Sequence, residues 1–293
     1  MSATSPAASV IIPHYNDLKG LDKCLAALDC QTLPRDQYEV IVADNASPQG
    51  EAAVHAVIAG RAKLVIVREK GAGPARNGGV ALARAPILAF TDSDCRPEPG
   101  WLSAGLTALS YCDFAGGRMD VVVDDPRAIT AAEAFELVFA FDNENYVRRK
   151  GFTVTANMFC PRAIFDRIGG FRAGLSEDVE WSRRATEAGF KLGYAPDAGV
   201  AHPARSTLTE LKTKVRRVTR EQFWMFMEKP AGRWIWLGRS CLLPLAILTY
   251  LPRIPASPKL ATPAQRWGAV AVLGRFCVWR FLEAMRLLWV GAF

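Results

Sequence analysis

Asp92 and Asp94 stand one residue apart where an apolar run gives out, in the segment LAFTDSDCRPEPGWL. Side chains alternate along an extended chain, so carboxylates at i and i+2 face the same way. Their repulsion has two resolutions. A hard divalent cation can bind them as oxygen ligands, or the pair can cap a turn ahead of Pro97 and Pro99. The motif alone does not choose. A second acidic cluster follows Ser176: Glu177, Asp178 and Glu180 in SEDVEW. Acids there suit the positive end of a helix, and one could also serve as a base that takes a proton from a hydroxyl. His14 and Asp44 end two further apolar runs, and His202 lies in GVAHPAR. A lone histidine is more often a hydrogen-bonded structural residue than a ligand.

The elements that must position these residues are readable from periodicity. SVIIPHY (9–15), EVIVADN (39–45), LVIVREK (64–70) and PILAFTD (86–92) are nearly continuous in apolar residues, as strands covered on both faces should be. Between them, Leu18, Leu21, Leu25 and Leu28 make one helical stripe, and 75–85 supplies another helix. The alternation predicts an α/β fold, a mostly parallel sheet with flanking helices, in which ligands gather at the carboxyl ends of the strands. His14, Asp44 and Asp92 all fall at such ends. Beyond 102 the pattern is mixed: a strand over 114–123, one long helix over 129–149, then TVTANMFCPRAIFDRIGGF as a strand and a short helix closed by Gly169 and Gly170.

In order along the chain, VIIPHYN, EVIVADNAS, GPARNGG, LAFTDSDCRPEPGWL, ANMFCPRAIFDRIGGF and LSEDVEWSRRATEAGFKLGYAPDAGVAH resemble the successive signatures of family 2 glycosyltransferases. The resemblance covers roughly residues 9–203 and implies the GT-A fold, a Rossmann-like nucleotide-diphospho-sugar transferase architecture. It implies that Asp44 holds the nucleobase with Pro13 and His14 beside it, that Arg76 and Ser93 lie near the nucleotide, and that Asp92 meets the ribose. It further implies that Asp94 binds Mn2+ or Mg2+ bridging the diphosphate, with His202 completing that site. Asp178 is the expected base with Glu177 the close second, while Asn157, Glu180 and Trp181 are expected in the acceptor pocket. Residue by residue, other roles stand open: a turn for Asp44, a solvated helix charge for Arg76, core positions for Asn157 and Trp181. The expected reaction is inverting transfer of one sugar from a nucleotide sugar, UDP-linked by the same resemblance. The expected acceptor is a glycan or lipid-linked hydroxyl in bacterial envelope synthesis. Processive relatives carry Q-x-x-R-W; here AQRW (264–267) has the wrong spacing. Two rivals are a non-catalytic nucleotide-sugar-binding scaffold and a sugar-phosphate nucleotidyltransferase, although the latter's Gly-rich loop is replaced by IIPHYNDLKG.

Charge divides the 293 residues. Up to 202 there are 21 Lys/Arg against 25 Asp/Glu, whereas 203–293 carry 15 against 4, a balance of +11. We therefore expect a domain over 1–203, its nucleotide-binding half about 1–100 and its acceptor half about 101–203. Over 204–293 we expect a basic, aromatic-rich helical appendage. Lys212, Lys214, Arg216, Arg217 and Arg220 precede a Trp/Phe/Met cluster, which suits anionic lipid headgroups. Nucleic acid would also answer to the charge, but it gives no reason to expose the short apolar runs that follow. The run CLLPLAILTYLP (241–252), between Arg239 and Arg253, is shorter than a spanning helix needs. In 267–293, Arg275, Arg280, Glu283 and Arg286 share one arc, so the opposite apolar side is expected to lie in a membrane interface. Seven cysteines with no C-x-x-C pair argue for a reducing compartment. With no signal-peptide pattern at the start, the expected location is the cytoplasmic face of the inner membrane. An oligomer is compatible with all of this.

Overall fold

The computed structural model describes residues 5–290. In chain order it opens β1 (Ala8–His14), α1 (Leu18–Asp29), β2 (Tyr38–Asp44), α2 (Glu51–Ile58), β3 (Lys63–Ile66), α3 (Ala72–Leu82), β4 (Ile87–Thr91), β5 (Arg96–Pro97) and α4 (Trp101–Ala108). It continues β6 (Phe114–Val122), α5 (Ala131–Phe139), α6 (Asn143–Asn145), β7 (Asn157–Pro161), α7 (Arg162–Ile168), α8 (Glu177–Glu187) and β8 (Leu192–Pro203). Helices α9 (Leu208–Met227), α10 (Gly232–Cys241), α11 (Ala246–Tyr250), α12 (Arg253–Ala256) and α13 (Pro263–Val290) finish it.

One eight-stranded sheet runs β3-β2-β1-β4-β7-β6-β8-β5. The first four strands in that order are parallel, while β7 is antiparallel to both β4 and β6. The sheet is therefore mixed, a parallel half continued by antiparallel strands. Its parallel half forms as expected: β1 and β2 are buried along almost their whole length, and Leu21, Cys24, Leu25 and Leu28 of α1 are buried together. Asp17 caps α1, its carboxylate accepting from Gly20 N at 2.9 Å. Gly71, at φ +129, turns the chain into α3 three residues earlier than periodicity predicts. The core between sheet and helices gathers Ile11, Ile41, Leu88, Phe90, Phe114, Met158, Phe165, Phe171 and Trp181.

The chain forms two compact units. One comprises the described residues up to Asp120, with Asp142–Ala173 and Glu177–His202. The other comprises Val121–Phe141, Gly174–Ser176 and the chain from Pro203 on. The second unit thus includes more than a simple cut at 203 would give it. The single helix expected over 129–149 breaks at this passage, because Asn143 is buried and donates to Gly117 O at 2.7 Å and Thr153 Oγ1 at 3.1 Å.

In the second unit, Phe135 and Leu137 of α5 pack with Leu211 of α9 and with Ala269, Val272, Leu273 and Cys277 of α13. Glu136, buried on α5, accepts from Arg205 N at 2.9 Å and Lys214 Nζ at 2.7 Å. Burial alone would raise its carboxyl, but Lys214 and Arg205 outweigh that and hold it below the ordinary range. On α13, Ala269, Val272, Leu273 and Cys277 are used here, Glu283, expected on the polar arc, is buried against Arg286, and Trp267, Val278, Leu282 and Trp289 are exposed. Thr130 and Thr207 each close a capping box, starting α5 and α9.

Glu39 on β2 ties the parallel strands together. Its carboxylate accepts from Ser9 Oγ on β1 at 2.7 Å, Lys63 Nζ on β3 at 2.7 Å and Arg84 N at 2.6 Å. Burial opposes ionisation, yet these donors win and bring the carboxyl from 4.5 down to about 2. A carboxyl that binds its proton less readily when folded stabilises the fold above its unfolded value and ceases to do so as pH falls. The contribution should therefore be full above about pH 4.5 and vanish towards pH 2. Lys63 and Arg84 are partly exposed, so screening leaves about 1–3 kcal/mol. Urea midpoints measured against pH should show Glu39→Gln losing stability at neutrality and losing less than the parent on acidification. A parallel pair of curves would contradict this.

Candidate active site

Strands β1, β2 and β4 end side by side, and their ends carry the polar residues. His14 and Asp44 are register partners at the last positions of β1 and β2. Both are buried, and His14 Nδ1 lies 2.8 Å from Asp44 Oδ1. Asp17 N donates to His14 Nε2 at 3.3 Å. An imidazole nitrogen that accepts cannot carry the proton, so the neutral ring donates from Nδ1 to Asp44. Ser47 adds its backbone N at 2.9 Å to Oδ2 and its hydroxyl at 2.5 Å to Oδ1. Asp44 is thereby a fixed acceptor at the edge of a depression of about 280 Å³, lined with Ala46, Ser47, Glu51, Ile66 and Arg68. The sequence reading placed Asp44 at this rim but missed Ser47, Glu51 and Arg68. The Asp-x-x-Ser spacing of ADNAS, which lets a carboxylate bond the N–H three residues on, was the available signal for Ser47.

The D-x-D segment leaves β4 at Asp92. Arg76, buried on α3, donates from Nη2 to Asp92 Oδ1 at 2.6 Å and from Nη1 to Glu177 Oε1 at 2.8 Å. Burial alone would lower the guanidinium's proton affinity, but the two carboxylates outweigh it and raise it. Arg76 Nε has no hydrogen-bond partner among the described residues. One guanidinium thus joins the D-x-D segment to the start of α8, bringing the two acidic clusters to one place. Asp178 follows Glu177 and is half-buried in the first turn of α8, where Oδ1 accepts from Val179 N at 2.8 Å. Asp94 Oδ2 lies 3.5 Å from His202 Nε2 near the end of β8.

Next to Arg76, Asn77 clamps the GGF loop: Nδ2 donates to Phe171 O at 2.8 Å and Oδ1 accepts from Phe171 N at 2.9 Å. Gly79 lets α3 lie close on the sheet, since a Cβ there would meet Ile11 Cγ2 at 2.7 Å. Cys24 and Cys95, behind the D-x-D turn, are fully buried, and burial with the neighbouring aspartates pushes both thiols far up. Neither offers a thiolate nucleophile.

The three residues expected in the acceptor pocket lie in the interior. Trp181 is fully buried, its ring 5.5 Å edge-on from Phe114 and stacked 5.7 Å from Phe165, with Nε1 bonded to Gly169 O. It is core. Asn157, also fully buried, spends its amide on Arg118 O, Ala198 O and Trp101 Nε1, stitching the antiparallel half of the sheet. Glu180 is buried and held by Arg184 at 2.7 Å and Arg172 at 3.4 Å. Each side chain is thus engaged by the fold.

The donor set limits what ion would suit. Among the described residues no group of three His, Cys, Asp or Glu is arranged to cage a metal. Asp94 and His202 can share one cation as a carboxylate and an imidazole. Such a sparse set fits an ion whose remaining ligands are phosphate oxygens and water.

Residues 9–180 match the family model described as Glycosyl transferase family 2. The chain is 34% identical over 264 residues to the glycosyltransferase AglE of Haloferax volcanii, covering 87% of this chain and 84% of that one. It is 31% identical over 226 residues to validoxylamine A glucosyltransferase of Streptomyces hygroscopicus subsp. jinggangensis, covering 64% of this chain and 51% of that protein. Among solved structures, the mannosyltransferase PcManGT from Pyrobaculum calidifontis, in complex with GDP-Man and Mn2+, aligns with a TM-score of 0.62 at 19% identity. That alignment covers 97% of this chain and 87% of that chain, a likeness of fold.

Proposed function

Because the chain belongs to glycosyl transferase family 2, with a GT-A-like fold, and is a glycosyltransferase, we propose that it moves one sugar per encounter, with inversion. The donor is a nucleotide sugar and the acceptor a hydroxyl on a lipid-linked glycan. The observation that carries this reading is the pair of bonds from Arg76 to Asp92 and Glu177. It supports a single cleft in which the donor's diphosphate and the attacking hydroxyl would meet.

The division of labour follows from the contacts. Asp44, fixed by His14 and Ser47, presents a preset acceptor to the nucleobase in the depression beside it. Asp178, half-buried in the first turn of α8 next to Glu177, is the base for the acceptor hydroxyl, the role the family resemblance gives it. Asp94 and His202 would hold a divalent ion. When bound, Mn2+ or Mg2+ supplies Lewis-acid stabilisation of the departing diphosphate. The solved mannosyltransferase complex, with its GDP-Man and Mn2+, is consistent with such a donor and ion. The exposed Lys212, Arg216, Arg217 and Arg220 on α9, with Lys214 bonded to Glu136, support an acceptor presented at an anionic lipid surface, on the cytoplasmic side.

The test starts with melting temperature. Nucleoside diphosphates with Mn2+ should raise it, since a ligand at a hundred times its Kd adds about 2.7 kcal/mol of stability. The donor so identified is then given polyprenyl-diphosphate-linked sugars, and the product anomer is read by NMR. Inverted configuration is expected. A retained anomer, or nucleotide hydrolysis with no acceptor product, would refute the reading.

A further inference from the structure

Residues 240–252 carry no charge and lie between Arg239 and Arg253. Within them Leu242, Leu245, Leu248 and Leu251 recur every third residue, and all four are exposed, at 61, 58, 68 and 38%. The opposite side is anchored. Leu243 packs with Phe223, Trp236 and Leu287, while Ile247 and Ile254 join the cluster built from α5, α9 and α13. The leucine row is therefore held outward by a seated inner face. Trp234 at 73% and Ile235 at 48% extend it along α10, and Tyr250 lies near its far end. Among the described residues, most large apolar side chains left open to solvent lie in this second unit.

No single described helix is long and apolar enough to cross a membrane, but α10 and the segment Ala246–Ala256 pass that test as a pair bent by 65°. As a helix, the uncharged stretch would reach about 20 Å, against a hydrocarbon core of about 30 Å. It is too short to cross. We propose that this bent pair is a shallow wedge that enters one leaflet of an anionic bilayer. The leucine row would sit in the acyl region, Trp234 and Tyr250 at the headgroup level, and Arg233, Arg239 and Arg253 on phosphates.

Charge decides between a bilayer and a second copy of the chain as the occupant. The apolar row is flanked by cations at each end, and 203–293 carry 15 Lys/Arg against 4 Asp/Glu. Two copies meeting here would bring like charge onto like charge, whereas an anionic leaflet answers both the leucines and the arginines. This deepens the lipid-surface part of the reading above. Its test records lipid contact rather than sugar transfer, so either can fail without the other.

Among the described cysteines only Cys30 and Cys241 are exposed, and Cys241 adjoins the leucine row. In a Cys30→Ser background the full chain is labelled at Cys241 with an environment-sensitive fluorophore. It is then mixed with vesicles of phosphatidylcholine, alone or with phosphatidylglycerol. We expect flotation with the anionic vesicles, a blue-shifted label and quenching by shallow spin-labelled lipids. Leu245→Ser with Leu248→Ser should weaken partitioning by about tenfold or more. Three results would overturn the proposal: no flotation, flotation with the label left in water, or a lipid-free dimer that the serine variant dissociates. The last would assign the face to a second copy.

Discussion

Asp178→Asn should bind donor as the parent does and lose transfer by a factor of about 10²–10⁴, the range that a positioned base contributes. The structure motivates this through where Asp178 lies, in the first turn of α8 beside the Arg76–Glu177 pair. Glu177 beside it is bonded to Arg76 at 2.8 Å, whereas Asp178 accepts from Val179 N at the start of α8 and is half-buried. Asparagine keeps the shape and the acceptor oxygen but cannot take a proton. Single-turnover rates on preloaded donor isolate the chemical step, and the acid limb of the rate profile should vanish in the variant. Glu177→Gln is the control. Its loss should fall on stability and on the placement of Asp92, with a smaller effect on the proton-transfer step. If Glu177→Gln removes the acid limb while Asp178→Asn retains it, the base is Glu177.

The second large effect should follow Asp94→Asn. A charged carboxylate at the D-x-D position is the strongest ligand the site offers a hard cation, and His202 is its neighbour at 3.5 Å. Lewis-acid assistance to a departing diphosphate is worth several kcal/mol, which corresponds to a rate loss of about 10³. Titration with Mn2+ should show stimulation of the parent at low concentration and of the variant only at much higher concentration. His202→Ala should shift the same titration less, because it removes a neutral ligand. Independently of activity, calorimetric binding of a nucleoside diphosphate should depend on Mn2+ in the parent and lose that dependence in Asp94→Asn. Equal metal dependence in both proteins would remove Asp94 from the site.

The parallel half of the fold was legible because strands covered on both faces leave an uninterrupted apolar signature, and β1, β2 and β4 carry it. The end of β3 at Ile66 and the early start of α3 were not, since they depend on Gly71 turning the chain at φ +129. The break between α5 and α6 depends on Asn143 reaching Gly117, 26 residues upstream. No window of local periodicity contains that contact.

Strand-end position singled out Asp44 and Asp92, and residue type the acidic start of α8, which Arg76 brings to one place with Asp92. Arg76 was placed near the nucleotide, but its bond to Glu177 spans 101 positions and had no sequence signal. The inward placement of Asn157, Glu180 and Trp181 has one cause. The sheet and α8 turn their side chains inward, and direction cannot be read from type alone.

The second unit has a consequence for how the polypeptide is made. Helix α5 ends at Phe139, whereas α13, which covers its apolar side, begins at Pro263. A ribosome adding about 5–20 residues each second needs roughly 6–25 s to cover that interval. Throughout it, Phe135 and Leu137 have been synthesised but their seat on α13 has not, while every strand of the sheet through β8 emerges first. Nascent chains must therefore carry an uncovered greasy helix for longer than most elementary folding steps take. A chaperone or a nearby bilayer has that interval in which to act.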